Sequence, residues 1–203
     1  MKLHNTYRSG WLAGWIACGL LGGRALGQIV IDVGDYTLLP NTPGQTISIM
    51  VSGGAAVQGL NFNVQVADGY PTGGSIDGPN ITGLDLLGTA SNPTIFFANN
   101  SGARLPIRSD PQVWSESLTT SSGTVNASGL LAVVTVDTSG WFGGSWSFAL
   151  ANTQEGATDF AGLGATITDG TITVVPEPAS ATVVGLGLLL GGVLLRRRRP
   201  PTP

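Results

Sequence analysis

The stretch "GLNFNVQVADG", residues 59–69, alternates Leu60, Phe62, Val64 and Val66 with Asn61, Asn63 and Gln65. Successive side chains of a β-strand point to opposite faces, so this period of two gives one apolar face and one polar face. Asp68-Gly69 then ends the run with turn chemistry. The same period recurs on either side. "TISIMV" (46–51) aligns Ile47, Ile49 and Val51, "SWSFALAN" (145–152) aligns Trp146, Phe148 and Leu150, and "GTITVV" (170–175) aligns Ile172 and Val174. "GLLAVVTVDT" (129–138) is apolar on both faces, with Leu131 and Val133 on one and Ala132, Val134 and Val136 on the other, as expected of a strand with neighbours on both sides. "IVIDV" (29–33), "TIFFAN" (94–99) and "QVWSESL" (112–118) are further strand candidates. Turn signals separate them at Asn41-Thr42-Pro43-Gly44, Asp77-Gly78-Pro79-Asn80, Gly143-Gly144 and Asp169-Gly170. Eight or nine short strands with this spacing predict an all-β chain folded as an antiparallel β-sandwich.

The two ends of the chain follow other rules. Lys2 and Arg8 precede an apolar stretch from Trp11 to Leu21, and Ala25-Leu26-Gly27 supplies small residues for cleavage. That is the layout of a secretory signal peptide over residues 1–27, the alternative being an uncleaved N-terminal anchor. At the other end, Ala179 to Leu195 carries no charge and is followed by Arg196, Arg197, Arg198 and Arg199. As a helix, this run would span about 25 Å, the short end of what crosses a bilayer. Pro176 and Pro178 keep the helix from starting earlier, and the four arginines assign its far end to the cytoplasm. A buried core helix would not be apolar on every face and then close on four like charges.

Val175-Pro176-Glu177-Pro178, a short apolar helix and an arginine cluster, in that order behind a signal peptide, resemble the PEP-CTERM sorting signal. The match covers Val175 to Arg199, and residues 200–203 are a short tail beyond it. The resemblance implies export across the inner membrane of a Gram-negative-type bacterium. It also implies transient anchoring there, recognition by a membrane-embedded exosortase, and cleavage near the Pro-Glu-Pro. It further implies a place at the cell surface or in an exopolysaccharide or biofilm matrix.

Between these ends lies an exported domain, residues 28–174. Its eleven carboxylates face only Arg104 and Arg108, a formal charge of −9 that the whole-chain value of −3 conceals. A surface this acidic repels phosphate backbones, which argues against nucleic acid as a partner. The single histidine, His4, and the single cysteine, Cys18, both fall in the signal peptide, and Lys2 is the only lysine. The exported domain therefore cannot build a Ser-His-Asp triad, a cysteine nucleophile, a Schiff base, a disulfide or a His/Cys zinc site.

"IDVGDYTL" (31–38), "PGQTISIMV" (43–51), "VQGLNFNVQV" (57–66), "GLLAVVTVDT" and the closing "DGTITV" (169–174) are similar in order and spacing to cohesin-like sandwich domains, which lie close to carbohydrate-binding-like folds. The similarity is one of strand pattern from Ile29 to Val175, and residues 73–122 fit it poorly. It implies a cohesin-like jelly roll, and it raises dockerin-type protein binding through a sheet face.

Carboxylates are the acid–base groups that remain. Asp32 with Asp35, Asp68 with Asp77, or Asp159 with Asp169 could form the facing pair that glycoside hydrolysis needs. Each sits in a turn-like segment, where Asp serves local hydrogen bonding. No Asp-x-Asp-x-Asp-Gly loop occurs, so no metal ligand set is assigned and no cofactor is expected. Trp114, Trp141 and Trp146 are candidates for a platform under sugar rings. The Trp141-Phe142 pair, in a glycine-flanked turn, is the candidate glycan contact, with edge packing as its alternative. The expected function is that of a non-catalytic surface or matrix protein. The alternatives are a small glycan-active enzyme using a carboxylate pair and a dockerin-type binding module.

Overall fold

The computed structural model describes residues 27–69, 77–101 and 105–176, with the side chains of 105–108 left aside. Ala25, Glu177, Pro178 and the arginines 196–199, and with them the proposed signal peptide and membrane helix, lie outside the described residues. No described helix is long and apolar enough to cross a membrane.

Eleven strands of three or more residues occur among the described residues: β1 Val30–Asp32, β2 Asp35–Leu38, β3 Gln45–Ser52, β4 Gly59–Val66, β5 Asn80–Asp85, β6 Leu105–Asp110, β7 Val113–Thr119, β8 Gly129–Asp137, β9 Gly144–Ala149, β10 Thr166–Thr168 and β11 Gly170–Val174. One sheet runs in the order β10-β1-β3-β8-β5. The other runs β6-β7-β4-β9-β11-β2, with the two-residue strand Asp159–Phe160 also pairing with β4. Side chains from the two inner faces meet in one core. Leu60, Phe62, Val64 and Val66 contribute from β4, Ile47, Ile49 and Val51 from β3, and Ala132, Val134 and Val136 from β8. β8 lies between β3 and β5, and a bulge between Leu130 and Ala132 turns Leu131 inward as well.

The sheets are not purely antiparallel. β1 pairs with β10 in parallel, and β2 pairs with β11 in parallel. The first and last segments of the sandwich therefore run side by side and change sheets together, at Gly34 and at Asp169-Gly170. The backbones nearly touch there, since a Cβ on Gly170 would lie 1.7 Å from the Gly34 carbonyl oxygen. Asp35 fastens the crossing: its Oδ1 accepts from Thr171 N at 3.0 Å and Thr171 Oγ1 at 2.7 Å. Short-range alternation carries no record of this pairing, because its partners are about 136 residues apart in sequence.

Two further expectations are corrected. "TIFFAN" forms successive turns rather than a strand, with Phe97 N donating to Thr94 O and Asn99 N to Phe96 O. Phe96 is fully buried and Phe97 is exposed, an alternation that a turn satisfies as well as a strand does. Asn80 begins β5 instead of closing a turn. The loss of "TIFFAN" removes one expected strand, while β2, β5, β6 and β10 add four and bring the count to eleven, above the eight or nine expected.

The polar face of β4 is largely covered, with Asn61 left half-buried. Asn63 and Gln65 are buried because the segment 150–158 folds over them. Thr158 N closes that loop by donating to Leu150 O. Its hydroxyl accepts from Asn63 N at 2.9 Å and donates to Asn63 O at 2.9 Å, replacing a strand partner where β9 has ended. Asn63 Nδ2 donates to Ala157 O, and Gln65 Oε1 accepts from Gln154 N at 2.8 Å. Buried amides are tolerated here because loop backbone groups that would otherwise lack partners meet them.

Candidate functional site

Two surface features bear on function. The first is at the end of the sandwich where the chain leaves toward its tail. Gly144, Val174 and Leu38 lie in register across β9, β11 and β2. The residues just beyond those strand ends are Phe142, Val175 and Leu39, exposed by 65%, 48% and 63%. They make up half of the six exposed large apolar residues among those described, so the end of the sandwich is an apolar rim rather than a random scatter. Phe142 shares an open depression of about 470 Å³ with Pro40, Asn41, Thr42 and Pro176.

The rim is stiff. Leu39 N donates to Gln45 Oε1, and Gln45 Nε2 donates back to Leu39 O and Thr42 O. Asn41 N donates to Trp141 O, Gly140 N to Asn41 Oδ1, and Thr138 Oγ1 to Leu39 O. Trp141 is half-buried and packs edge-on against Trp146, with ring centroids 5.0 Å apart. Trp146 is half-buried against the core, as is Trp114 on β7. The three tryptophans therefore do not form one open platform, and Phe142 is the exposed aromatic of the Trp141-Phe142 turn.

The second feature is a polar groove of about 510 Å³ on the outer side of β4 and β7, lined by Asn61, Asn63, Ser115, Glu155, Gly156, Ala157 and Asp159. Ser115 Oγ donates to Asn63 Oδ1 in its floor. Asp159 accepts from Asn61 Nδ2 through both carboxylate oxygens, at 3.1 and 3.2 Å, and from Gly162 N at 3.0 Å.

With 14% of residues identical, the structure is similar to the seventh ScaB type I cohesin from Pseudobacteroides cellulosolvens, at a TM-score of 0.51 over 75% of this chain and 96% of that one. The fold is cohesin-like. A non-cellulosomal cohesin from the hyperthermophilic archaeon Archaeoglobus fulgidus aligns over 77% of this chain and 97% of its own, with 11% identity and a TM-score of 0.48. CaCohA2 from Clostridium acetobutylicum aligns over 73% and 92%, with 16% identity and a TM-score of 0.46. No protein-family model and no curated protein matches the sequence.

Within this cohesin-like sandwich Asp35, Asp159 and Asp169 each fasten a different local segment. Asp169 Oδ1 accepts from Leu150 N at 2.7 Å and Ala151 N at 2.8 Å, and Oδ2 accepts from Asn152 Nδ2. Asp85 Oδ1 accepts from Leu87 N and Gly88 N. Hydrogen bonds from Ser139, side chain and backbone, hold the Asp137 carboxyl below its ordinary range. Asp32 lies on β1 and Asp35 on β2, in different sheets. Burial, and then the charge of Asp32, push the Tyr36 hydroxyl above its ordinary range; Tyr36 donates to Ser48 O. No group of three or more His, Cys, Asp or Glu among the described residues is placed to hold a metal ion.

Asp169 gives a direct test of this accounting. Asp169→Ala strips the acceptor from two backbone N–H groups beside the fully buried Leu150 and is expected to cost at least about 2 kcal/mol in denaturant unfolding. Asp169→Asn keeps an acceptor oxygen and is expected to retain most of that stability. The polar groove was the feature least visible in sequence. Asn61 and Asn63 mark its floor by alternation, but nothing local announces that Glu155, Gly156 and Ala157 form its wall.

Proposed function

We propose that this chain is an exported, non-catalytic surface or matrix protein. Its cohesin-like sandwich acts in adhesion or scaffolding, and its C-terminal segment sorts it through an exosortase at the inner membrane. The observation that carries the non-catalytic part is the use of the carboxylates. Asp35, Asp159 and Asp169, nominated for acid–base pairs, each accept hydrogen bonds from backbone N–H groups. A catalytic carboxylate must present an oxygen to substrate across a cleft, and these three are instead engaged by main-chain donors of neighbouring segments. The sorting part rests on the sequence from Val175 to Arg199, and the exopolysaccharide association rests on the resemblance of that segment.

A second reading is a protein-binding module of the dockerin-recognising kind. The groove beside β4 and β7 favours it, since amide, hydroxyl and carboxylate groups on a rigid sheet suit a polar protein surface. The exported protein, screened against a glycan panel for binding and for hydrolysis, separates these readings from the enzymatic one. The expected result is no turnover, with or without Asp159→Asn. Hydrolysis that Asp159→Asn abolishes would make the chain an enzyme and overturn the proposal.

A further inference from the structure

We propose that the apolar rim formed by Leu39, Phe142 and Val175 seats the sandwich on the outer surface of the bilayer while the tail is still attached. This inference rests on the reading of residues 179–195 as a membrane helix. The decisive fact is distance along the chain. Val175 and Pro176 belong to the rim, and the apolar run begins at Ala179. Three residues, even fully extended, reach about 10 Å. The end of the sandwich that carries the rim is therefore held within about 10 Å of the point where the chain enters the hydrocarbon, close to the headgroup region.

The chemistry of that end matches an interfacial layer. An aromatic ring and two aliphatic side chains project from the ends of three adjacent strands, flanked by Pro40 and Pro176, and among the described residues no charged side chain lines the depression beside Phe142. Aromatic residues at the water–lipid boundary are a general anchoring device. The hydrogen-bonded loops 39–45 and 138–142 hold these side chains outward, so little ordering is needed on contact. The carboxylates Asp35, Asp137 and Glu177 lie within five residues of the rim in sequence, hydrogen bonds from Ser139 hold the Asp137 carboxyl below its ordinary range, and residues 28–174 carry a formal charge of −9. Attachment through the rim is therefore apolar, and it weakens rather than strengthens as anionic lipid is added. The consequence for sorting is geometric: a seated domain presents Val175-Pro176-Glu177-Pro178 at a fixed height, level with the headgroups, where a membrane-embedded enzyme works.

The test uses the chain from Gln28 to Pro203, which carries the tail and contains no native cysteine, in phosphatidylcholine nanodiscs. Single cysteines are introduced as Leu39→Cys, Phe142→Cys, Met50→Cys, Leu163→Cys and Leu188→Cys and are spin-labelled. Collision with oxygen, which concentrates in lipid, is compared with collision with a water-soluble nickel chelate. Met50 and Leu163 are exposed apolar residues elsewhere on the domain and serve as controls. Labels at 39 and 142 are expected to favour oxygen several-fold over labels at 50 and 163, with position 188 deep in lipid. Water-like readings at 39 and 142 with a lipid reading at 188 would overturn the seating while leaving the membrane helix intact. A water-like reading at 188 would overturn both. Shielding of 142 from both reagents would put protein on the rim, either the tail or a second copy, and would overturn the lipid assignment.

Discussion

Phe62→Ala is expected to lower the unfolding free energy of the sandwich domain by about 3–5 kcal/mol, with little change in the denaturant slope. Phe62 is fully buried on the inner face of β4, in a core shared with Phe96, Phe148 and Phe160. Its strand is paired on both sides, by β7 along one edge and by β9 and Asp159–Phe160 along the other, so the backbone around it cannot collapse into the space a ring leaves. A domain of this size is stable by only about 5–15 kcal/mol, so one side chain accounts for a large share of the total. Leu163→Ala removes a side chain of similar apolar character that is 49% exposed, and its effect is expected to stay within about 0.5 kcal/mol. Equal losses in the two variants, measured by urea unfolding, would mean that burial does not rank the apolar residues of this domain.

That contrast also shows which parts of the architecture the sequence discloses. The inner faces of β3, β4, β9 and β11 follow from alternation alone, whereas β8, apolar on both faces, shows only that it is interior, and its bulge at Leu131 is a tertiary feature. The parallel pairing of β1 with β10 and of β2 with β11 leaves no such trace, since it joins residues from opposite ends of the domain through backbone hydrogen bonds. "TIFFAN" misleads for a related reason. Two phenylalanines in succession, one buried and one exposed, satisfy a period of two and a tight turn equally, and only the Thr94 and Phe96 carbonyls accepting bonds within the segment distinguish them.

The surface features divide in the same way. Phe142 is readable as an exposed aromatic because glycines follow it and no alternating run contains it. Its companions Leu39 and Val175 are not, because each merely follows an apolar strand, and only the register of Leu38, Val174 and Gly144 brings the three together. The burial of Asn63 and Gln65 likewise depends on a loop about 90 residues away in sequence. Polar alternation reports which face is not core; whether water or another segment covers that face is decided by tertiary structure.

Cleavage near Val175-Pro176-Glu177-Pro178 is expected to release the sandwich from the inner membrane without changing its stability. The last strand, β11, ends at Val174, which is buried and paired with Gly144 and Leu38. Everything C-terminal to Pro176 can be removed without taking away a residue of the described core, so cleaved and uncleaved protein should melt at the same temperature to within a degree or two. By their sequence, prolines at 176 and 178 disfavour a helix here and favour an extended backbone that a protease can reach. On the far side, Arg196 to Arg199 resist entry into hydrocarbon, where each costs about 2.5–3.5 kcal/mol at mid-bilayer on insertion scales. Serine at all four positions removes that barrier, so the tail can slip through the membrane before it is cut. The expected phenotype is premature loss of the protein to the medium with an intact C-terminus, from cells in which the wild-type chain is found shortened at the surface. Mass spectrometry of surface-associated wild-type protein provides the measurement. A C-terminus at Pro203 in cells with a working exosortase would make the tail a permanent anchor, and the apolar rim would then hold the domain against the bilayer for the lifetime of the protein.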